Sequence, residues 1–201
     1  MAAPTKAELQ ARVAKLERAL AREKKRKGLK EDLTRASAAQ AATAKILRVI
    51  RKSPANVQPV FEAIADAALR LFGAWSVIVV RFDGSQIQYG AARGGRRGSV
   101  ARVRAMFPLP LSKATTIGPV GRCIMGRKLI ELPDARRDGS REMRELAAAR
   151  GFRSTLAVPF INANVPIGAI GVTRVEAGRY TRAEIDLLQT FADQAVIAIE
   201  N

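Results

Sequence analysis

Ser154 to Val175 reads STLAVPFINANVPIGAIGVTRV. Leu156, Val158 and Phe160 recur at every second position, the period of a strand with one face turned to a core. Asn162-Ala163-Asn164 supplies turn chemistry, and Val165 to Val175 resumes as a second strand, so the segment is a β-hairpin. Gly168 and Gly171 weaken that second strand, and they mark a bulge or the close approach of another backbone. Beyond it, Thr181-Arg182-Ala183-Glu184 fits the S/T-x-x-E capping box that opens a helix. Ile185, Leu188, Ala192, Ala195 and Ile199 line one face of that helix. The line is still running at Asn201, as in a helix that docks on the N-terminal helix or leads into a further domain. On the other side of the hairpin, Glu142 to Arg150 is a short helix closed by Gly151 as its C-cap.

A second hairpin lies earlier. Trp75 to Phe82 (WSVIVVRF) is almost wholly apolar and β-branched, Asp83-Gly84 is a tight turn, and Gln86 to Ala91 alternates with Ile87, Tyr89 and Ala91 on one side. A helix precedes it, with Asn56 as expected N-cap, Pro59 in the first turn, and Val57, Phe61, Ile64, Ala68 and Phe72 as its apolar face. Between the hairpins the chain is irregular: a Gly/Arg-rich connection from Arg93 to Arg104 with a short helix near Val100 to Met106, and an extended Phe107 to Leu111. A short helix follows within Thr116 to Gly126, with Val120, Ile124 and Met125 expected inward, and then a strand over Lys128 to Leu132.

The N-terminal part is made of helix formers. Leu9, Val13, Leu16 and Leu20 are spaced as a heptad seam, and Leu29, Leu33, Ala36, Thr43, Leu47 and Ile50 form another in a different register. This predicts one long helix, with an interruption at Gly28 allowed for, ending at Ser53-Pro54 because proline disfavours the helical region before it. A dimer stalk is the favoured role over a lone solvated helix. Residues 1–40 are thus expected to be a basic helical stalk and 41–201 the folded domain.

Composition excludes much chemistry. There is no histidine, so imidazole bases, His metal ligands, a proximal haem His, a phospho-accepting His and Ser/His/Asp or Cys/His nucleophiles are all ruled out. No catalytic activity and no metal site are expected. The single Cys123 has no disulfide partner in the chain and reads as a small buried hydrophobe. No apolar run is long enough to span a bilayer and no secretory signal is visible, which points to a cytoplasmic protein. Net charge is +17, a field that attracts polyanions. The stalk lacks aromatic residues and any helix-turn-helix or zinc pattern, so nucleic-acid binding is expected to be at most weak and non-specific.

Taken in order, Ile46 to Phe61 (ILRVIRKSPANVQPVF), Ser76 to Gly84, Pro108 to Pro133 with TIGPVGR and ELPD, and Arg153 to Asn201 with LAVPF, PIGAIGV and YTRAEIDLLQTFADQAVIAIEN resemble a GAF domain of bacterial sensor kinases and nucleotide cyclases. The resemblance covers about three quarters of the chain. It implies an α+β, profilin-like fold: an antiparallel sheet of five or six strands, the helix from Val57 and the terminal helices on one face, and the middle segment closing a ligand pocket on the other. It implies a signalling role, with a small effector controlling an output kinase or cyclase domain, or a protein in trans, through a homodimer. Pocket candidates on family geometry are Thr116, Val120, Cys123, Phe152, Leu156 and Thr173. The dimer seam would draw on Leu9, Val13, Leu16, Leu20, Leu47, Ile50, Leu188 and Ala195.

Departures narrow the ligand. Bilin-binding members carry Cys followed by His, whereas Ile124 follows Cys123, and haem members need an axial ligand that is usually His, so neither cofactor is expected. A cyclic nucleotide is compatible but lacks its signature at Phe191-Ala192-Asp193-Gln194. From Gly84 to Ile130 there is no Asp or Glu but nine Lys or Arg. That makes an anionic small ligand the hypothesis, with Arg93, Arg97, Arg104 and Arg122 as contacts. The alternative is a structural dimerisation scaffold whose pocket is filled by its own side chains.

Overall fold

The alternating and helical periods read above become fourteen ordered segments in the computed structural model, which describes residues 6–53 and 56–201, and side chains from residue 15 onward together with Arg12. Helix α1 is Lys6–Lys52, α2 Gln58–Leu71, α3 Ser99–Arg104, α4 Pro119–Gly126, α5 Arg141–Arg150 and α6 Arg182–Glu200. The strands are β1 Ser76–Phe82, β2 Gln86–Gly94, β3 Leu109–Pro110, β4 Ile130–Leu132, β5 Ser154–Asn162 and β6 Val165–Arg174. Short 3-10 segments cover Leu111–Ile117 and Ala135–Arg137.

The chain divides into two compact units, Met1–Gln40 and Ala41–Asn201. In the first, α1 runs through Gly28 without a break, and the side chains of Leu16, Leu20, Leu29 and Leu33 are all more than half exposed. Leu9 and Val13 lie outside the described side chains.

In the second unit, one antiparallel sheet has the order β3-β2-β1-β6-β5-β4. Each hairpin contributes two neighbouring strands, and β1 and β6 pair at the centre, so the two hairpins merge into one surface. The β1–β2 turn is held by Asp83, whose Oδ1 accepts the N–H groups of Ser85 at 2.9 Å and Gln86 at 2.7 Å. Gly168 does what the sequence anticipated. A Cβ there would collide with the Val80 carbonyl oxygen, and the register shifts at the neighbouring Phe160/Ile161 step.

The strand period of two sorts the side chains. Val77, Val79, Leu156, Val158, Ile170 and Val172 face α2, α6 and the end of α1, where Ala42, Ile46, Phe61, Ile64, Leu188 and Phe191 complete the main core. Phe61 and Phe160 stack with centroids 6.4 Å apart. Burying each such side chain stabilises by about 1.5–3 kcal/mol. Val80, Phe82, Ile87, Ala157 and Ala169 face the other way, under α4 and the preceding 3-10 segment. Both devices of the α6 capping box are present: the Glu184 N–H donates to Thr181 Oγ1, and the Thr181 N–H to Glu184.

Three expectations are corrected. Leu188 and Ala195 are fully buried against the sheet, and Ile50 is buried in the same core, so these three are core residues and not seam residues; of the four seam candidates in this unit, Leu47 keeps an exposed face. Met125 points outward, 54% exposed, and Cys123 takes its place inward. From Val120, the positions three and four residues on are Cys123 and Ile124, and that pair shares its face. Asn56 precedes the N-cap, Val57, although its Oδ1 still accepts the Gln58 N–H at 3.0 Å.

Candidate functional site

On the face of the sheet away from α2 and α6, the small α3, α4 and α5 stand apart enough to leave a cavity of about 440 Å³. Its floor is the middle of the sheet: Ser76 and Ile78 of β1, Thr155 of β5, Gly171 and Thr173 of β6. Ser76 and Thr173 are register partners, and their hydroxyls share a hydrogen bond of 2.7 Å. Gly171 keeps the floor low, because a Cβ there would sit 2.6 Å from Val120 Cγ2. Val100 and Val103 of α3 with Met106 just beyond it form one wall, Ile117 and Val120 a second, and Leu146, Ala149 and Arg150 of α5 with Phe152 a third. Trp75 anchors this last wall by donating from Nε1 to the Arg150 carbonyl at 3.0 Å.

Of the six pocket residues named from the sequence, Val120, Phe152 and Thr173 line the cavity. Leu156 is one residue out of phase: Thr155 faces the cavity and Leu156 the helix-side core. Cys123 is wholly buried between α4 and the sheet, and burial pushes its thiol up to about 12. Thr116 is exposed and donates to the Lys113 carbonyl at 2.8 Å. Cys123 should therefore stay unmodified by a thiol reagent such as DTNB in the native protein and react fully once unfolded in guanidinium; rapid native labelling would contradict its placement.

The arginine candidates scatter. Arg93 reaches the cavity lining, but its Nε donates to Asp66 on α2 at 2.6 Å. Arg104 lies over the Tyr89 ring at 5.5 Å, outside the cavity, and Arg97 is exposed. Arg122 forms a two-pronged pair with Asp138, 2.8 and 2.9 Å, joining α4 to the approach of α5. It is a structural clamp and does not line the cavity. The arginines that do line it beside Arg93 are Arg96, Arg102 and Arg150. Arg150 ends a helix, where a basic residue reads as a partner for the helix dipole. Nothing in the local sequence distinguishes that role from a wall position.

Two aspartates brace this side of the domain. The hydrogen bond from Arg122 holds the Asp138 carboxyl below its usual range, and that from Arg153 does the same for Asp134. Folded-state values lowered in this way add stability above the ordinary aspartate range near about pH 4, and the contribution disappears as pH falls through the folded values. Thermal unfolding should therefore occur at lower temperature at pH 3 than at pH 7. Asp138→Asn should be less stable at pH 7 and show a shallower loss on acidification; an unchanged pH slope would show that the Arg122–Asp138 pair does not brace the fold.

Among the described residues, no group of three or more His, Cys, Asp or Glu is placed to hold a metal ion, and no helix is long and apolar enough to cross a membrane. No match is found among curated proteins. Solved structures similar in fold include the GAF domain of an Acinetobacter phosphoenolpyruvate-protein phosphotransferase, with 17% identity, TM-score 0.61, and coverage of 81% of this chain and 92% of that one. A methyl-accepting chemotaxis protein matches at 21% identity and TM-score 0.61, covering 79% and 94%. Free methionine-R-sulfoxide reductase from Neisseria meningitidis, in complex with its substrate, matches at 13% and 0.62, covering 81% and 88%. At these identities the likeness establishes the fold, and the presence of an enzyme among these structures means that the fold by itself does not exclude catalysis. The sequence is matched by the family model described as GAF domain over residues 54–200, which takes in the whole sheet, the cavity and α6. The chain belongs to the GAF domain family.

Proposed function

We propose that this protein is a regulatory sensor module: a small effector enters the cavity, and its binding biases the terminal helices that control an output domain or a protein in trans. GAF domains are typical of signalling sensors. The observation that carries the reading is the cavity itself, walled by three short helices on one face of a sheet whose other face packs α2, α6 and the end of α1. Occupancy changes on one face are thus one sheet thickness from those helices, and an effector shifts the equilibrium only by its differential affinity for the two states. Regulation without catalysis fits the lack of histidine and a thiol that burial keeps protonated. The row of exposed leucines in residues 16–33 supports a homodimer stalk.

The test is a thermal-shift screen of small metabolites against the full chain. A ligand that binds only the folded state raises the melting temperature by mass action, about 2.7 kcal/mol of stabilisation at one hundred times Kd. Val103→Trp, which fills the cavity from α3, should abolish the shift while leaving the unliganded protein folded. A hit that survives this substitution places the effector elsewhere.

A further inference from the structure

The chemistry of the cavity wall narrows what can occupy it, given that it is an effector site as proposed above. Arg150 is the odd residue. The partly buried guanidiniums of Arg93, Arg122, Arg153 and Arg174 each meet a carboxylate, from Asp66, Asp138, Asp134 and Glu184 respectively. Arg150 meets none among the described residues. Its side-chain hydrogen bond there goes to the Met106 sulfur at 3.8 Å, a weak acceptor for a group with five donors. Burial lowers its pKa with no opposing carboxylate, so the cation sits in the wall with its electrostatic demand unmet. Arg96 adds a second positive charge beside it. Its guanidinium lies against Gly151, the residue after Arg150, with Nε 3.3 Å from where a Cβ would stand.

Apart from Arg93, which Asp66 holds, and the solvent-exposed Arg102, the remaining lining is poor in polar groups. It contains no Asp, Glu, Asn or Gln. Its hydroxyls are engaged: Ser76 and Thr173 with each other, Thr155 with the Val172 carbonyl, and Ser99 with the Gly94 carbonyl. A nucleotide brings base edges and ribose hydroxyls, and each one buried without a partner loses its hydration with nothing in return. A ligand with one anionic head and an apolar body leaves nothing unpaired. The volume, about 440 Å³, sits at the small end of the range for pockets that take one organic ligand, roughly 300–1,000 Å³.

We infer that the cavity selects a small monocarboxylate with an aromatic or branched aliphatic body, its carboxylate held by Arg150 with Arg96 alongside and its body packed on Val103, Val120, Leu146 and Phe152. A planar guanidinium grips a carboxylate through two parallel hydrogen bonds, which gives orientation as well as attraction.

The experiment pairs each acid with its own amide, equal in shape but uncharged: benzoate with benzamide, phenylacetate with phenylacetamide, indole-3-acetate with indole-3-acetamide. Cyclic GMP serves as the nucleotide control. Titration calorimetry on the full chain should show at least one acid binding tenfold or more tightly than its amide, the discrimination expected when a charge-assisted pair replaces a neutral hydrogen bond. Arg150→Gln should erase the discrimination without lowering the melting temperature of the unliganded protein, and Arg150→Lys should restore part of it. Acids and amides that bind alike would overturn the monocarboxylate inference and leave the effector site standing. An acid whose affinity ignores Arg150→Gln would overturn the role of Arg150, and tighter binding of cyclic GMP would overturn the ligand class. Failure of all three pairs would overturn the inference as well, and the wider thermal-shift screen then decides separately whether the cavity takes an effector at all.

Discussion

Leu188→Glu should leave the protein unfolded, with no cooperative thermal transition, instead of a folded protein that has lost its partner. Leu188 is completely buried between α6 and the sheet. The substitution removes about 1.5–3 kcal/mol of apolar burial and adds several kcal/mol for taking a carboxylate out of water. A domain with roughly 5–15 kcal/mol in hand does not survive that sum. Leu188→Ala gives a graded version, with a loss of about 2–5 kcal/mol measurable by urea unfolding. The stalk offers the opposite behaviour. Leu20 is 53% exposed, so Leu20→Glu should leave domain stability within about 0.5 kcal/mol, and sedimentation should reveal dissociation if residues 16–33 join two copies. A Leu188→Glu protein that melts like the wild type would show that the core assignment of α6 is wrong.

Gly121→Ala should destabilise the domain by about 3 kcal/mol or more, lowering the melting temperature by roughly 6–12 °C. Helix propensity argues the other way, since alanine in a helix interior gains about 1 kcal/mol over glycine. The geometry decides the sign. A Cβ at Gly121 would drive into the Ala114 carbonyl of the 3-10 segment packed on α4, and backbone cannot move aside as a long side chain can. Because Val120, the next residue back, lines the cavity, any relaxation that admits the methyl also displaces the second cavity wall. A stabilised Gly121→Ala variant in differential scanning calorimetry would mean that α4 and the 3-10 segment are not packed as described.

The sequence was most readable where local chemistry has one solution. The Thr181/Glu184 capping box, the Gly151 C-cap and both hairpin turns follow from residue types that few backbones use otherwise, and each stands where expected. The face assignment of β5 was also readable, because Leu156, Val158 and Phe160 keep strict period two and share the helix-side core, whereas the register shift at Val79/Val80 breaks the alternation expected in β2 and puts Ile87 and Ala91 on opposite faces. That same parity excludes Leu156 from a cavity on the other face, an inference that needed the pocket's side of the sheet as well as the strand. Short helices were less readable: within the eight residues of α4, buried Cys123 and exposed Met125 stand two residues apart on opposite faces, so an inward set misplaced by one position exchanges one for the other. The arginines were hardest. Whether a guanidinium clamps an aspartate, covers a ring or faces a void depends on residues far away in the chain, such as Asp66 for Arg93 and Met106 for Arg150.

Few side chains of the cavity lining are free to change independently, and α3 holds several of them. None of its residues is buried, yet it supplies Val100, Arg102 and Val103 to the chamber. The floor is different, because the strands beneath it present core residues on their reverse, and a one-residue slip of β6 would exchange Gly171 and Thr173 with Ile170 and Val172. Chemical preference in this scaffold is therefore free to drift through α3 at little structural cost, while the sheet beneath stays locked, so descendants with new specificities would differ first between Ser99 and Arg104.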